Sequence, residues 1–356
     1  MSSAAPTPTP YRRLYRDLRD AIVEKRLTGK LPPIVELARQ YQVNHNTVKK
    51  ALAQLKEHRF IYGVQGKGCF VNPDSGINVL AQRFVTLYIQ GSLLLNPFYM
   101  KLIYALRTLL EAERCNVNLI NTASQLEVFA AQTDVLLLFD RFSAAEEQRA
   151  LELLPRERIV CCNCPGPAGC SWSGTDNVAG GELAMRYLYE RNCRNIAVFG
   201  VSDDDYDDER GLFFRRRQGV MRFAAAHPDL HIAEVIIPES LTQRPIADEW
   251  MEELYRRGNR PDAVFAFMDI LTFSIYRFLA KHGLTLPVLG HDDRDFAGQL
   301  TPSLSSIRED VARIAEATGL LIRGAICGDA PGKALLIPPE IVERDSTVML
   351  PPPRRD

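Results

Sequence analysis

LPPIVELARQYQVNHNTVKKALAQLKEHRFIYGVQGKGCFV, residues 31–71, is the stretch that decides how this chain begins to fold. Pro32 and Pro33 open a helix in which Ile34, Leu37, Ala38 and Tyr41 recur at helical spacing. After the short break QVN, Asn44 offers a side-chain oxygen to the free N–H groups that begin the next helix. Val48, Ala51, Leu52 and Leu55 line one face of that helix, and His45, Asn46, Lys49, Lys50 and Lys56 lie on the other. FIYGV and CFV then flank the turn QGKG as a β-hairpin with Lys67 at its tip. Upstream, 11–26 places Leu14, Leu18, Ala21 and Ile22 on one helical face, with Arg12, Arg13, Arg16 and Arg19 around the rest and Gly29 beyond its end. Three helices and a basic hairpin predict a winged helix-turn-helix over 11–72, preceded by a disordered Pro/Thr-rich tail, 1–10. The start of the third helix is where such a module meets base edges and phosphates, so Asn44, His45, Asn46, Thr47, Lys49, Lys50 and Lys67 are the candidate DNA contacts.

The charge distribution agrees. The whole chain of 356 residues has a net charge of −1, yet residues 1–74 hold 13 Lys and Arg against 6 Asp and Glu, and the remainder is acidic. A basic head on an acidic body calls for an anionic partner at the head alone, and double-stranded DNA is the first expectation. With 46% hydrophobic and 24% charged residues, the chain is an ordinary globular protein long enough for two or three domains, not a fibrous, disordered or disulfide-scaffold one. Its longest uncharged apolar stretch, 85–100, is too short for a membrane span and is interrupted by Gln90, Gly91, Asn96 and Pro97, so a cytoplasmic location without membrane contact is expected.

From Phe84 onward, short apolar strands alternate with helical stretches: VTLYIQ, a helix at 97–114, VNLI, a short helix near 125–131, DVLLLF, a helix near 144–153 and IVCCN. The alternation continues with helices at 179–191, 215–226, 245–257, 270–282 and 309–326 separating NIAVFG, AEVIIP, AVFAFM and PVLGHD. Strand followed by helix, repeated, predicts α/β architecture: parallel sheets with helices on both faces. Some 270 residues exceed one ordinary sheet, so two lobes sharing a cleft are expected over 84–350, joined to the head by a linker at 73–83.

Residues 11–72 closely resemble the GntR family of regulators: helix, turn, the TVKKAL core and the G-K-G wing occur in order. The segment departs from that family where Pro33, Ile34 and Val35 replace a Ser-Glu-Arg-like helix start and where His45 replaces an arginine. The body resembles the LacI/GalR effector domain, which in turn is similar to periplasmic sugar-binding proteins of type I. The resemblance is carried by LNPFY (95–99), GTDNVAGGELAMRYLYERNCRNIAVFG (174–200), RRQGVMRF (216–223), RPDAVFAFMDILTFSIYRFLAKHGL (260–284), LGHDD (289–293), LTPSLSSIRED (300–310) and IPPEIVERDSTV (337–348). One departure is the 12-residue connection 122–133, short enough to cost the first lobe part of a helix.

In open parallel sheets, ligands lie at the carboxyl ends of strands. Asp269 and Asp292 end two apolar runs, and the resemblance gives Arg216, three residues before Gly219, the role of a ligand-binding arginine. Asn96 and Phe98 follow the first strand, Asp140 ends the third, and Asp176 follows SWSGT. Carboxylates that accept hydroxyl hydrogens and a guanidinium that donates in fixed directions suit a neutral polyhydroxylated molecule. The expected effector is a sugar or sugar derivative. Strand-end aspartates also cap helices, and that competing role applies to each of them.

Other signals carry no chemistry. GCSWS (169–173) lacks the final Gly of a nucleophile elbow, DDDYDDE (203–209) lacks the Gly and bidentate Glu of a calcium loop, and GKG (66–68) lies in a hairpin. Cys161, Cys162, Cys164 and Cys170 cluster in CCNCPGPAGC without paired knuckles or a nearby His, and reduced structural thiols are expected. Neither a cofactor, a metal nor an enzymatic activity is expected. The overall expectation is a ligand-responsive repressor of carbohydrate genes acting as a homodimer, its interface using the helices at 97–114 and 270–282, where Leu102, Leu106, Leu109, Ile275 and Phe278 are apolar candidates for either the interface or the core. The alternative is a cytosolic small-molecule sensor whose head docks a protein.

Overall fold

In the computed structural model, residues 10–23, 26–58, 60–72, 82–140, 142–202, 209–238 and 247–348 are described. Residues 1–9, most of the expected linker (73–81) and the acidic run at 203–208 lie outside them. The head is built as its spacing predicts. Helices α1 (Pro10–Val23), α2 (Ile34–Gln40) and α3 (His45–Glu57) bury Leu14, Leu18, Ile22, Leu37, Val48, Ala51 and Leu55 in one core. Helix α1 begins at Pro10 and ends at Val23, so it takes in the last residue of the expected tail and stops short of Arg26. Strands β1 (Ile61–Val64) and β2 (Gly68–Val71) pair antiparallel as a two-stranded wing, and an isolated bridge ties Lys30 to Phe70. Gly66 and Gly68 take the left-handed backbone that this turn requires, with φ of 73° and 104°.

The chain divides into two compact units, one formed by 1–173 with 311–335 and the other by 174–310 with 336–356. In the first, β3 (Phe84–Ile89), α4 (Pro97–Ala112), β4 (Asn116–Ile120), α5 (Ala123–Phe129), β5 (Val135–Phe139), α6 (Ala144–Leu153), β6 (Ile159–Cys162) and β7 (Ser171–Thr175) alternate. The short connection therefore still holds a helix, α5, of 7 residues. In the second, α7 (Asn177–Glu190), β8 (Asn195–Ser202), α8 (Leu212–Ala225), β9 (His231–Pro238), α9 (Ala247–Arg256), β10 (Ala263–Ala266), α10 (Thr272–His282), β11 (Val288–His291) and β12 (Ser305–Arg308) follow. Helix α11 (Val311–Ile326) returns to the first unit, and β13 (Ala334–Ile337), β14 (Glu340–Val342) and α12 (Asp345–Val348) end the described chain.

Strand orders are β13-β7-β6-β5-β3-β4 and β14-β12-β11-β10-β8-β9. The pairs from β3 through β7 and from β8 through β12 are parallel, as expected, and β14 adds an antiparallel edge against β12. In each sheet the first strand of the unit has its second strand on one side and its third on the other. The switch points are therefore β3/β5 and β8/β10, and in doubly wound sheets the strand ends at such points are where ligands bind.

Leu102, Leu106, Ile275 and Phe278, expected as interface candidates, are instead core: each is at most 1% exposed. Helical period identifies an apolar face without saying what covers it. On α4 the exposed apolar residues are Met100, Tyr104 and Leu109.

Helices α7 and α8 meet backbone to backbone. A Cβ on Gly181 would lie 2.1 Å from the Arg216 carbonyl oxygen, and one on Gly219 would lie 2.0 Å from the Val178 oxygen. This closeness brings Asn177 and Arg216 together. Gly181→Ala is expected to lower stability by about 3 kcal/mol, since backbone rather than a side-chain tip must move. Gly319→Ala in α11, where a Cβ meets nothing within 4 Å, should instead stabilise by up to about 1 kcal/mol. Urea unfolding of the two variants checks the pair of signs.

Candidate functional site

The head presents its candidate DNA contacts on one module. Asn44 caps α3, its Oδ1 accepting the Thr47 N–H at 2.8 Å, and this orphan-donor bond fixes where the helix starts. His45, Asn46, Lys49 and Lys50 are exposed on α3, Thr47 is half-buried, and Lys67 is exposed at the wing tip. The fold adds Lys30, exposed and bridged to the wing at Phe70, and the stacked pair Tyr62 and Phe70, with ring centroids 5.8 Å apart. Tyr62 is exposed on this wing.

At the β3/β5 switch point of the first unit, Asn96 caps α4 through an Oδ1 that accepts the Phe98 N–H at 3.1 Å. Phe98 meets Tyr99 edge-on. The Tyr99 hydroxyl donates to Asp140 and accepts from Asn163 Nδ2 at 2.9 Å, so two strand-end side chains and one from the first turn of α4 form one chain of hydrogen bonds. Asn163 is buried and its Oδ1 has no partner. Asp140 has a left-handed φ of 62°. Tyr99 and Asn163 escape sequence reading because neither is a charged strand-end residue.

In the second unit, Arg216 is 1% exposed and its guanidinium is fully engaged. Nε and Nη2 donate to Asn177 Oδ1 at 3.2 and 2.7 Å, Nη1 donates to the Phe267 carbonyl, and Nη2 reaches Glu309 Oε1 at 3.3 Å. Glu309 also accepts from the Thr175 hydroxyl at 2.9 Å. His291 Nδ1 lies 3.4 Å from Asp292 Oδ1 and 3.7 Å from Glu309 Oε1, while its Nε2 is buried without a partner. Burial, then the neighbouring Arg216, holds the imidazole pKa well below its ordinary value, so it is neutral at pH 7. Asp292 has a φ of 110°, which few non-glycine residues adopt and which marks a loop held by its surroundings. Its carboxyl pKa is raised by burial, with Arg216 and Arg294 opposing.

Asp269 lies nearby and is fully buried. Its Oδ1 accepts from Ser306 Oγ at 2.7 Å and its Oδ2 from the Arg294 N–H at 2.8 Å, so both oxygens hold the 292–294 loop and the β12 strand. Asp176 caps α7, its Oδ1 accepting the Ala179 N–H at 3.1 Å. The structure thus joins Arg216 and Asp292 to Asn177, His291 and Glu309, and gives Asp269 and Asp176 internal partners. Among the described residues, His291, Asp292 and Glu309 hold donor atoms within 4.8 Å of one another, and the Arg216 guanidinium on Glu309 supplies the positive charge there.

Burial first and the Asp292 charge second push the Asp269 pKa from 3.8 to about 8. A carboxyl whose folded pKa lies above its unfolded one contributes stability that is full below the unfolded value and lost as pH rises through the folded one. His291 is neutral in both states above about pH 7, so it does not obscure the effect. Stability should fall from about pH 7 to about pH 9, and Asp269→Asn should flatten that slope. Thermal melts across this range measure it.

All eight cysteines are free thiols, and Cys161, Cys162, Cys164 and Cys170 are buried. No helix among the described residues is long and apolar enough to cross a membrane.

The chain thus sets a helix-turn-helix head with a wing on a body of two doubly wound sheets with polar residues gathered at their strand ends. The comparisons agree: residues 10–71 match the bacterial regulatory proteins of the gntR family and residues 185–347 match the periplasmic binding protein-like domain, so the chain joins those two modules. The arabinose metabolism transcriptional repressor of Geobacillus stearothermophilus is 22% identical over 363 residues, 94% of this chain and 97% of that protein. The regulator MalR of Clostridium butyricum is 25% identical over 177 residues, and the chain spans 51% of its length. A LacI family regulator from Arthrobacter sp. FB24, solved with lactose, superposes with a TM-score of 0.61 at 19% identity over 75% of this chain and 100% of that one.

Proposed function

We propose that this protein is a sugar-responsive transcription repressor: its gntR-type head binds double-stranded operator DNA as part of a homodimer, and its body binds a sugar or sugar derivative that alters that binding. The observation that carries the reading is the pairing of a basic recognition helix and wing with strand-end side chains gathered at a switch point. The relatives support it, being an arabinose repressor and, by fold, a regulator solved with lactose.

In the second unit Asp292 and Asp176 are the effector contacts, and Arg216, expected to touch the ligand, instead positions Glu309 and Asn177 because its own donors are occupied. In the first unit, taken by itself, Asn96, Phe98 and Asp140 stand at the strand ends. Asp269 serves the same site by holding the 292–294 loop. Hydroxyl groups of a sugar would be bound by these carboxylates and amides, and the Phe98 ring would cover an apolar face. Binding then shifts the population between two states that differ in DNA affinity, by as much as the sugar distinguishes them.

Melting of the full chain with L-arabinose, D-ribose, D-xylulose and lactose at millimolar concentration tests the body's role. One sugar should raise the midpoint for the parent chain and not for Asp292→Ala. A rise that survives in Asp292→Ala removes the ligand from this strand end.

A further inference from the structure

Helix α11 ends inside the head. Cys327, just past its last turn, is 2% exposed and belongs to the same core cluster as Leu14, Leu18 and Phe60, with Ile326 packed against it. The helix stops in a Schellman motif: the Asp329 N–H donates to the Gly324 oxygen at 2.8 Å, the Gly328 N–H to the Ala325 oxygen at 3.2 Å, and Gly328 has a φ of 74°. That turn aims the Asp329 carboxylate at α1, where it pairs with Arg19. Both side chains are largely shielded, at 13% and 12% exposure, and Lys333 Nζ completes the pair at 2.7 Å from Asp329. Burial is the largest influence on Asp329, yet Lys333 and Arg19 outweigh it and keep its pKa below the ordinary carboxylate value. The seam is not fully packed: a cavity of about 300 Å³ lies along it, lined by Phe60, Leu320, Leu321 and Leu335. A charged pair closing an incompletely filled seam suits a contact that opens and recloses, unlike a continuous core. The DNA face is elsewhere on the head, since His45, Asn46, Lys49, Lys50 and Lys67 do not line the seam.

In sequence, α11 begins at Val311, two residues after Glu309, which binds Arg216 in the candidate effector cluster. We propose that Arg19, Asp329 and the end of α11 form a latch that fixes the orientation of the head for DNA, and that α11 carries the state of the Glu309 cluster to it. This rests on the head binding DNA. A head that spends only a tenth of its time in the competent orientation binds about tenfold more weakly, so the latch sets affinity without touching DNA.

Charge reversal separates the latch from simple electrostatics. Arg19→Glu makes the head less basic, whereas Asp329→Arg makes the chain more basic. If charge alone mattered, the first would weaken binding to a duplex from the protein's own upstream region and the second would strengthen it. The latch predicts that both lower affinity, by roughly tenfold each, and that the double variant restores it to within about threefold. Hydrogen exchange on the full chain without DNA gives a second readout. Amides of α1 should exchange roughly tenfold faster in each single variant and return toward the parent rate in the double variant. Asp329→Arg binding DNA as tightly as the parent, or a double variant no better than the singles, overturns the latch. A parent chain that binds no duplex at all overturns the DNA reading itself, and the latch with it.

Discussion

Affinity of the full chain for duplex DNA is expected to fall by roughly 10³ or more between 50 and 200 mM salt, because the proposed homodimer, neutralising on the order of six phosphates, would release that many counterions. The charges are placed for this. The basic excess of the chain is confined to residues 1–74, and Lys49, Lys50 and Lys67 are exposed on the recognition helix and wing. Lys49→Glu replaces attraction by repulsion in each head of the proposed dimer and should lower affinity on the order of a hundredfold or more, with a shallower salt slope. Folding is unaffected, since Lys49 is exposed while its neighbour Val48 carries the packing. Fluorescence anisotropy across the salt series measures slope and affinity together. Binding that ignores both salt and Lys49→Glu would point to a head that docks a protein.

The second large effect is in the body. Arg216 is the buried cation against which Glu309 and Asp292 are balanced, and Asn177 and the Phe267 carbonyl occupy its remaining donors. Arg216→Met leaves Glu309 with the Thr175 hydroxyl and a neutral His291 as neighbours in a buried site. Removing one partner of a buried pair typically costs 3–5 kcal/mol, so the melting midpoint should fall by roughly 10 °C. Adding Glu309→Gln to Arg216→Met should recover part of the loss, because the stranded charge is gone. Calorimetry of the two variants distinguishes this from lost packing: equal midpoints would mean that the methionine's shape, not the charge, is responsible.

How much of this was legible in sequence varied by element. The head follows from spacing alone, because a 3.6-residue apolar period and a G-K-G hairpin leave one compact arrangement for some 60 residues. The long apolar strands, such as VLLLF of β5, are equally plain. The short edge strands β12 to β14 are not: SSIR and EIV carry too few apolar residues to show a period, and their pairing depends on partners far away in the chain. Strand-end position revealed Asp140, Asp269 and Asp292, but not what each does. Asp269 has both oxygens occupied, a fact fixed by Ser306 and the Arg294 backbone from another strand and loop. Glu309, Asn177 and His291 join Arg216 only through the crossing of α7 and α8 and the register of β11 with β12. The end of α11 inside the head has no sequence signal, since Cys327 is a lone thiol in a helix terminus.

One titration decides whether a sugar bound by the body changes DNA binding by the head. The full chain is titrated onto a labelled duplex from its own upstream region at fixed salt, alone and with the sugar that raises its melting midpoint. Affinity should change by roughly 5-fold to 150-fold, the range of ordinary allosteric coupling, and the change should vanish in Asp292→Ala while that variant still binds the duplex. Identical affinity with and without a sugar that demonstrably binds would contradict the account.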